Sequence, residues 1–364
     1  MWVRYLRRPT AGPATVLAAM VGAYIAVFGS LTYSQQSNYG TFGFDMGIYD
    51  QGIWLVSRFR TPFLTVRGLN YFAHHVNIIT LALVPFYWLG GGPHLLYAVE
   101  TVALAAGAIP LWLLGRDRMQ NGWIALAPAG AYLLYPSVEW INWWHFHPDA
   151  LIITPLLFAY WLATRGRWGW YAIAVAVALS CKEDAALAIV MLGLVVALKF
   201  GWRAQGAVTT AAGAAWFLVC TKVIIPFANG GGAPFYSDLF PGFGTSLPAI
   251  AWTMVRHPTR WIRLATKHDR FTYYAQLLWP VGLVCVLELP VLAISGPQLL
   301  INVTSGHGYT HDIRFHYSSV VAAGVFLATV EACARRGRTA AGQRFLAGLV
   351  LACALAANVA WSPS

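Results

Sequence analysis

Between Arg8 and Asp45 the chain carries no charged residue, and the stretch from Ala11 to Tyr33 is almost wholly apolar. A helix that crosses the hydrocarbon of a bilayer needs about 20 such residues. The interval therefore predicts a first membrane span, with Arg4, Arg7 and Arg8 holding the amino terminus in the cytoplasm and Asp45 emerging on the far side. A cleaved signal peptide is the rival reading. The apolar run is long and no small-x-small cleavage site follows it, so the segment reads as an uncleaved helix.

The rest of the chain agrees. With 58% hydrophobic and 10% charged residues and a mean hydropathy of +0.58, a soluble globule is excluded, because its polar residues could not cover it. In such a protein the formal charge of +11 sets orientation and meets anionic lipid or phosphate, and it does not imply nucleic acid. The five cysteines show no CxxC or Cys/His spacing and read as small apolar residues.

Ten further apolar runs follow, from Pro93–Gly115 to Phe345–Trp361. The segment from Val76 to Gly90 decides the topology. If it crosses, the clusters Arg116/Arg118, Arg165/Arg167, Lys199/Arg203 and Arg335/Arg336/Arg338 fall outside. If it lies in the interface or re-enters, all of them fall inside in short loops, as the positive-inside rule prefers. The second choice gives an all-α polytopic membrane protein of about eleven spans, read as one domain over residues 1–364. Its external loops run over about 34–93 and about 222–270. The later loop carries Gly230, Gly231 and Gly232, then Arg256, Arg260, Arg263, Lys267 and Arg270 interleaved with Trp252, Trp261 and Leu264, the pattern of a helix lying against lipid headgroups.

This topology gathers the acids and histidines at the outer face, which makes that face the candidate site. Asp45 follows the first span between Gly43 and Gly47, which allow a ligand close to the backbone. Helix capping is the ordinary role of an isolated Asp, and Asp50 is read that way. In Trp143-Trp144-His145-Phe146-His147-Pro148-Asp149, an extended backbone would turn His145 and His147 to one side, where they could share a divalent metal with Asp45. Histidines hydrogen-bonded within an interfacial aromatic belt are the competing reading. Lys182, Glu183 and Asp184 stand between two apolar runs, a costly place for charge unless paired or lining an aqueous cavity. Glu100 reads as buried helix-packing glue. Tyr309-Thr310-His311-Asp312-Ile313-Arg314-Phe315-His316-Tyr317 offers donors and acceptors suited to phosphate or sugar hydroxyls.

The strings Phe44-Asp45-Met46-Gly47-Ile48-Tyr49-Asp50-Gln51, His75, Tyr135-Pro136, Phe146-His147-Pro148-Asp149-Ala150, Lys182-Glu183-Asp184-Ala185 and Arg314-Phe315-His316-Tyr317 resemble, in order, the bacterial and archaeal membrane proteins grouped as DUF2079. That family in turn resembles the GT-C glycosyltransferases, multi-span enzymes with an acidic residue just after the first helix. The resemblance implies a GT-C-like helical bundle in the plasma membrane with an extracytoplasmic site. Asp45 would stand as the first-loop catalytic acid, and His145, His147 and Asp149 in the region of metal-binding or donor-orienting residues. Histidines stand where many GT-C enzymes have carboxylates. Family members often continue past this chain's end, which leaves room for a separate carboxy-terminal or partner subunit.

The implied reaction moves a sugar from a polyprenyl-phosphate donor to an acceptor. It needs a carboxylate base and cations for the departing phosphate. Asp45, Asp149 and Glu183 are the candidate catalytic carboxylates. Lys182, Arg270, Arg314, His311 and Tyr317 are the candidates to hold donor phosphate or sugar. A noncatalytic partner subunit and a transporter of a lipid-linked or small anionic substrate are the alternatives. A transporter would place ionisable residues near the midplane, often in inverted repeats, and no repeat is visible here.

Overall fold

The computed structural model describes residues 11–231 and 236–364; Arg4, Arg7, Arg8 and Gly232 lie outside the described residues. Six helical stretches are long and apolar enough to cross a membrane: Gly12–Ser37, Pro93–Met119, Arg203–Ala228, Val284–Thr304, His316–Arg336 and Ala340–Trp361. Four shorter apolar stretches accompany them, Ile78–Trp88, Ala150–Thr164, Trp168–Cys181 and Ala185–Leu198. With Ile78–Leu83 in 3-10 geometry and Val84–Trp88 α-helical, Ile78–Trp88 extends roughly 20 Å, short of a hydrocarbon core of about 30 Å, so it does not cross as a straight helix.

Two of the apolar runs are broken by local chemistry. Pro136 cannot continue the helix Leu126–Leu133; Tyr135 turns extended at φ −74°, ψ 119°, the region favoured before proline, and a new helix Pro136–Trp144 starts. The run from Phe271 onward is interrupted where Gly282 and Leu283 both take left-handed φ values of 59° and 55°. The helix His268–Leu278 therefore gives way to short 3-10 turns.

A buried apolar core runs from Leu17 to Ala354, and the helix Ser319–Arg336 lies at its centre, buried along nearly all of its length. Close backbone approach tightens the hairpin of Ala185–Leu198 and Arg203–Val219, where a Cβ at Gly206 would come within 2.5 Å of the Ala197 nitrogen. Small residues permit this contact, and helix association in lipid depends on it.

Polar side chains collect at the two ends of the central helix. At its carboxy end, Glu288 takes Lys199 at 2.9 Å and Arg335 at 2.7 Å, and Glu331 takes Arg118 at 2.8 Å. Asp117 takes Arg116 at 3.2 Å and Arg165 at 3.3 Å. At its amino end lie His316, Asp149 and Lys182. Eighteen helical residues separate the two layers, about 27 Å, close to the thickness of a bilayer core. The basic clusters of four separate loops thus share one end of the bundle.

Beyond Ala228 the chain forms two short amphipathic helices, Leu247–Arg256 and Pro258–Ala265. Ser246 caps the first by accepting from the Ala249 N–H at 3.4 Å. Trp252, Val255 and Ile262 stay exposed, and the Arg256 guanidinium lies 4.6 Å from the Trp252 ring centre, an arrangement suited to a lipid interface. The described cysteines are all free, and Cys181, Cys220, Cys285 and Cys333 are buried.

Candidate functional site

The site begins with the helix Gly43–Ser57, which follows the first span. Gly52 on this helix has no Cβ to hold Tyr71 away, since one built there would fall 2.5 Å from the Tyr71 ring. Tyr71 therefore packs flat on the helix and donates to Thr80 Oγ1 at 3.0 Å, fastening the outer loop. Within that loop Phe63–Leu64 and Leu69–Asn70 form a small antiparallel hairpin. Gln51 of the same helix pins the hairpin by accepting from the Thr65 N–H at 3.0 Å and the Thr65 hydroxyl at 3.2 Å.

These pieces wall one side of a cavity of about 490 Å³, and the loops at 145–150, 182–184 and 305–318 wall the other. Lys182 is buried at its base, with Nζ 2.6 Å from Asp149 Oδ1, 3.2 Å from Asp184 Oδ2 and 5.5 Å from the centre of the Tyr317 ring. Burial disfavours the ammonium, but Asp149, Asp184 and Glu183 outweigh it and raise the pKa well above the ordinary value. Burial likewise pushes Asp149 up, and the Lys182 ammonium more than reverses this, holding its carboxyl below the usual carboxylate range. For Asp184 burial wins over Lys182, and its pKa rises to about 6.

Glu183 points the other way. Its Oε1 lies 2.7 Å from His75 Nδ1, and its Oε2 accepts the Val76 N–H at 3.0 Å. Burial alone would raise its pKa; His75, Lys182 and the backbone donor bring it down to about 2. One residue step thus sends Lys182 into the base of the cavity and Glu183 into a tie with the outer loop.

His147 stacks on His316, ring centres 3.8 Å apart and planes inclined by 19°, and His316 Nε2 lies 3.8 Å from Asp149 Oδ1. Glu100 reaches up from the span Pro93–Met119 to accept the His147 N–H at 3.4 Å. The Glu100 carboxylate is therefore part of the floor beneath the site, a role beyond the helix packing expected for it.

Asp45 lies in the first turn of its helix and caps nothing: among the described residues its carboxylate has no hydrogen bond or ion pair. It faces the cavity, half-buried. A Cβ at Gly43 or Gly47 would meet nothing within 4 Å, so no packing contact explains either glycine. Asp50, by contrast, accepts from the Tyr87 hydroxyl at 2.8 Å and holds the outer loop together.

Of the candidates, Asp45, His147, Asp149, Lys182, Glu183 and Tyr317 line this one cavity. The others do not. Arg270 is buried and donates to the carbonyls of Val303 at 3.2 Å and Ser305 at 3.0 Å while pairing with Asp269, so its guanidinium is consumed in holding the end of a helix. His311 lies 3.3 Å from the same Asp269, and exposed Arg314 grips Asp312 at 2.6 Å. His145 does not join His147. Its ring packs against Trp144 and Phe42, its Nδ1 lies 3.4 Å from the Tyr97 hydroxyl, and its carbonyl takes His147 Nδ1 at 2.8 Å. The shared metal set expected of Asp45, His145 and His147 is not assembled, and among the described residues no three His, Cys, Asp or Glu side chains stand where they could hold an ion.

Sequence reasoning passed over Arg67. It lies in the hairpin turn, Gly68 following at φ 67°, and its side chain lines the cavity. The available signal was its place in the same outer loop as Asp45, without a carboxylate nearby in sequence.

The fold and its two polar ends define a multi-pass helical membrane protein. Residues 38–364 match the family model DUF2079, described as a predicted membrane protein, and the chain belongs to that family. No curated protein and no solved structure matches it.

Proposed function

We propose that the protein is a membrane glycosyltransferase, with about eleven spans in a GT-C-like bundle, that transfers a sugar from a polyprenyl-phosphate donor to an acceptor on the extracytoplasmic side. The observation that carries this reading is the cavity in which Asp45, an unpaired carboxylate, stands across from a buried ion-pair network and beside a wall of aromatic rings. Tyr309 and Tyr317 stack with ring centres 5.5 Å apart, and Trp144 meets Phe315 edge-on at 4.8 Å, flat apolar surfaces on which a sugar ring can rest.

In this mechanism Asp45 accepts the proton of the acceptor hydroxyl. The freed oxygen pair bonds the anomeric carbon, and the bond from that carbon to the phosphate oxygen breaks, releasing polyprenyl phosphate. Lys182 acts mainly by organising the base of the site, since Asp149 and Asp184 already surround its charge. The clustering of ionisable residues at the ends of the bundle favours this reading over a transporter with a midplane site.

The test is a screen of purified protein in lipid nanodiscs against polyprenyl-phosphate sugars. Intact-complex mass spectrometry reads binding, and loss of the sugar from the donor reads transfer. Binding and turnover of at least one donor support the proposal. Transport of the donor or its headgroup across a sealed vesicle, with no bond cleaved, would replace it with the transporter reading.

A further inference from the structure

We propose that Arg67 is the residue that receives the phosphate of the substrate in this cavity, with the Tyr309–Tyr317 stack beside it as the seat of the attached sugar. This rests on the glycosyl-transfer reading and names the group that holds its leaving phosphate.

Most charges at and around the cavity are already paired. Lys182 is surrounded by Asp149 and Asp184, and Glu183 by His75 and the Val76 N–H. Arg270 is tied to two carbonyls and Asp269, and Arg314 to Asp312. Arg67 lines the same cavity and, among the described residues, its side chain has no hydrogen bond or ion pair; its guanidinium rests 5.8 Å from the centre of the Phe44 ring. An arginine held over an aromatic face keeps its planar donor fork free for a phosphate.

Its placement is built. The antiparallel pairing of Leu64 with Leu69 closes a tight turn, in which the Arg67 and Gly68 N–H groups both donate to the Leu64 carbonyl, at 3.2 and 2.8 Å. Gln51 fixes that hairpin to the helix that carries Asp45. The candidate base and the candidate phosphate receptor are therefore parts of one braced unit, yet they do not neutralise each other by pairing. Arg67 lines the cavity together with His74 of the outer loop and Tyr309 of the aromatic wall. A glycosyl phosphate bound there would lay its sugar along that wall, with its anionic end at the hairpin.

The experiment compares wild type with Arg67→Gln and Arg67→Lys in nanodiscs of neutral lipid. The probes are a long-chain polyprenyl monophosphate, the neutral polyprenol of the same length, and inorganic phosphate, with binding followed by tryptophan fluorescence and intact-complex mass spectrometry. Arg67→Gln should weaken polyprenyl monophosphate binding by roughly tenfold or more, the value of a charge-assisted hydrogen bond. Polyprenol binding should not change. Arg67→Lys should recover part of the loss. The free Arg67 side chain predicts that Arg67→Gln unfolds at the wild-type temperature, which separates lost binding from lost folding.

Wild-type affinity for polyprenyl monophosphate in Arg67→Gln overturns the assignment and leaves the transfer reading standing. Equal affinity of wild type for inorganic phosphate and polyprenyl monophosphate, both lost in Arg67→Gln, keeps Arg67 as the anion receptor and removes the lipid-linked donor. Failure of wild type to bind either phosphate overturns the inference.

Discussion

Lys182 Nζ lies 2.6 Å from Asp149 Oδ1, and this contact clamps two helical hairpins to each other. Asp149 stands in the turn that leads into Ile153–Thr164, and Lys182 in the turn between Trp168–Cys181 and Ala185–Leu198. Both side chains are buried, so neither could be left alone without cost.

Lys182→Met should therefore destabilise the protein by about 3–5 kcal/mol, because it strands a buried carboxylate. The double variant Lys182→Met/Asp149→Asn should recover part of that loss. Thermal unfolding in one detergent measures both. A Lys182→Met protein as stable as wild type would show that the pair carries no structural role.

Glu183 gives the site a pH signature. Its folded pKa is held at about 2 against an ordinary 4.5, so its contribution to stability is complete above pH 4.5 and is lost as pH falls towards 2. The full difference is on the order of 3 kcal/mol. Glu183→Gln should flatten the acid limb of the stability profile between these values, and an unchanged acid limb would reject the assignment.

Much of the architecture is legible in the sequence, because hydrocarbon imposes it. The apolar interval before Asp45 predicts the first span, and the basic clusters flanking the later apolar runs gather at one end of the bundle. Broken helices are harder to read, since composition does not reveal that Gly282 and Leu283 both turn left-handed. Lys182, Glu183 and Asp184 announce themselves as isolated charges among apolar residues. How they divide does not follow from spacing, because the partners Asp149 and His75 come from distant loops. The expected union of His145 and His147 rests on alternation along an extended strand. The packing of the His145 ring on Trp144 and Phe42 overrides it.

The two histidines should accordingly behave differently. His147 faces the cavity and His145 does not. Metal analysis of protein purified without chelator should give the same content for wild type and His145→Ala. A drop confined to His145→Ala would restore it as a ligand.

Orientation can be read with thiol reagents once the half-buried Cys353 is replaced by Ser, because Cys181, Cys220, Cys285 and Cys333 are buried and give little background. A membrane-impermeant maleimide added from outside should label Asp45→Cys and spare Arg167→Cys. The reverse pattern would invert the protein and place the cavity in the cytoplasm.

Asp45→Asn addresses the chemistry itself. The carboxylate has no partner among the described residues, so its removal should cost little stability, and any effect on turnover reports on catalysis. General-base assistance contributes typically about a hundredfold to ten-thousandfold in rate, so turnover should fall by at least the lower figure. Donor binding should persist, because in the proposed site Arg67 holds the phosphate and the carboxylate acts only as the acceptor loses its proton. A fall in kcat with KM for the donor unchanged is the expected pattern, since the lost interaction belongs to the transition state. Replacement by Glu should restore part of the rate if the carboxylate works as a base. Full turnover by Asp45→Asn would remove it from the mechanism and return it to the role of an ordinary residue in the first turn of a helix.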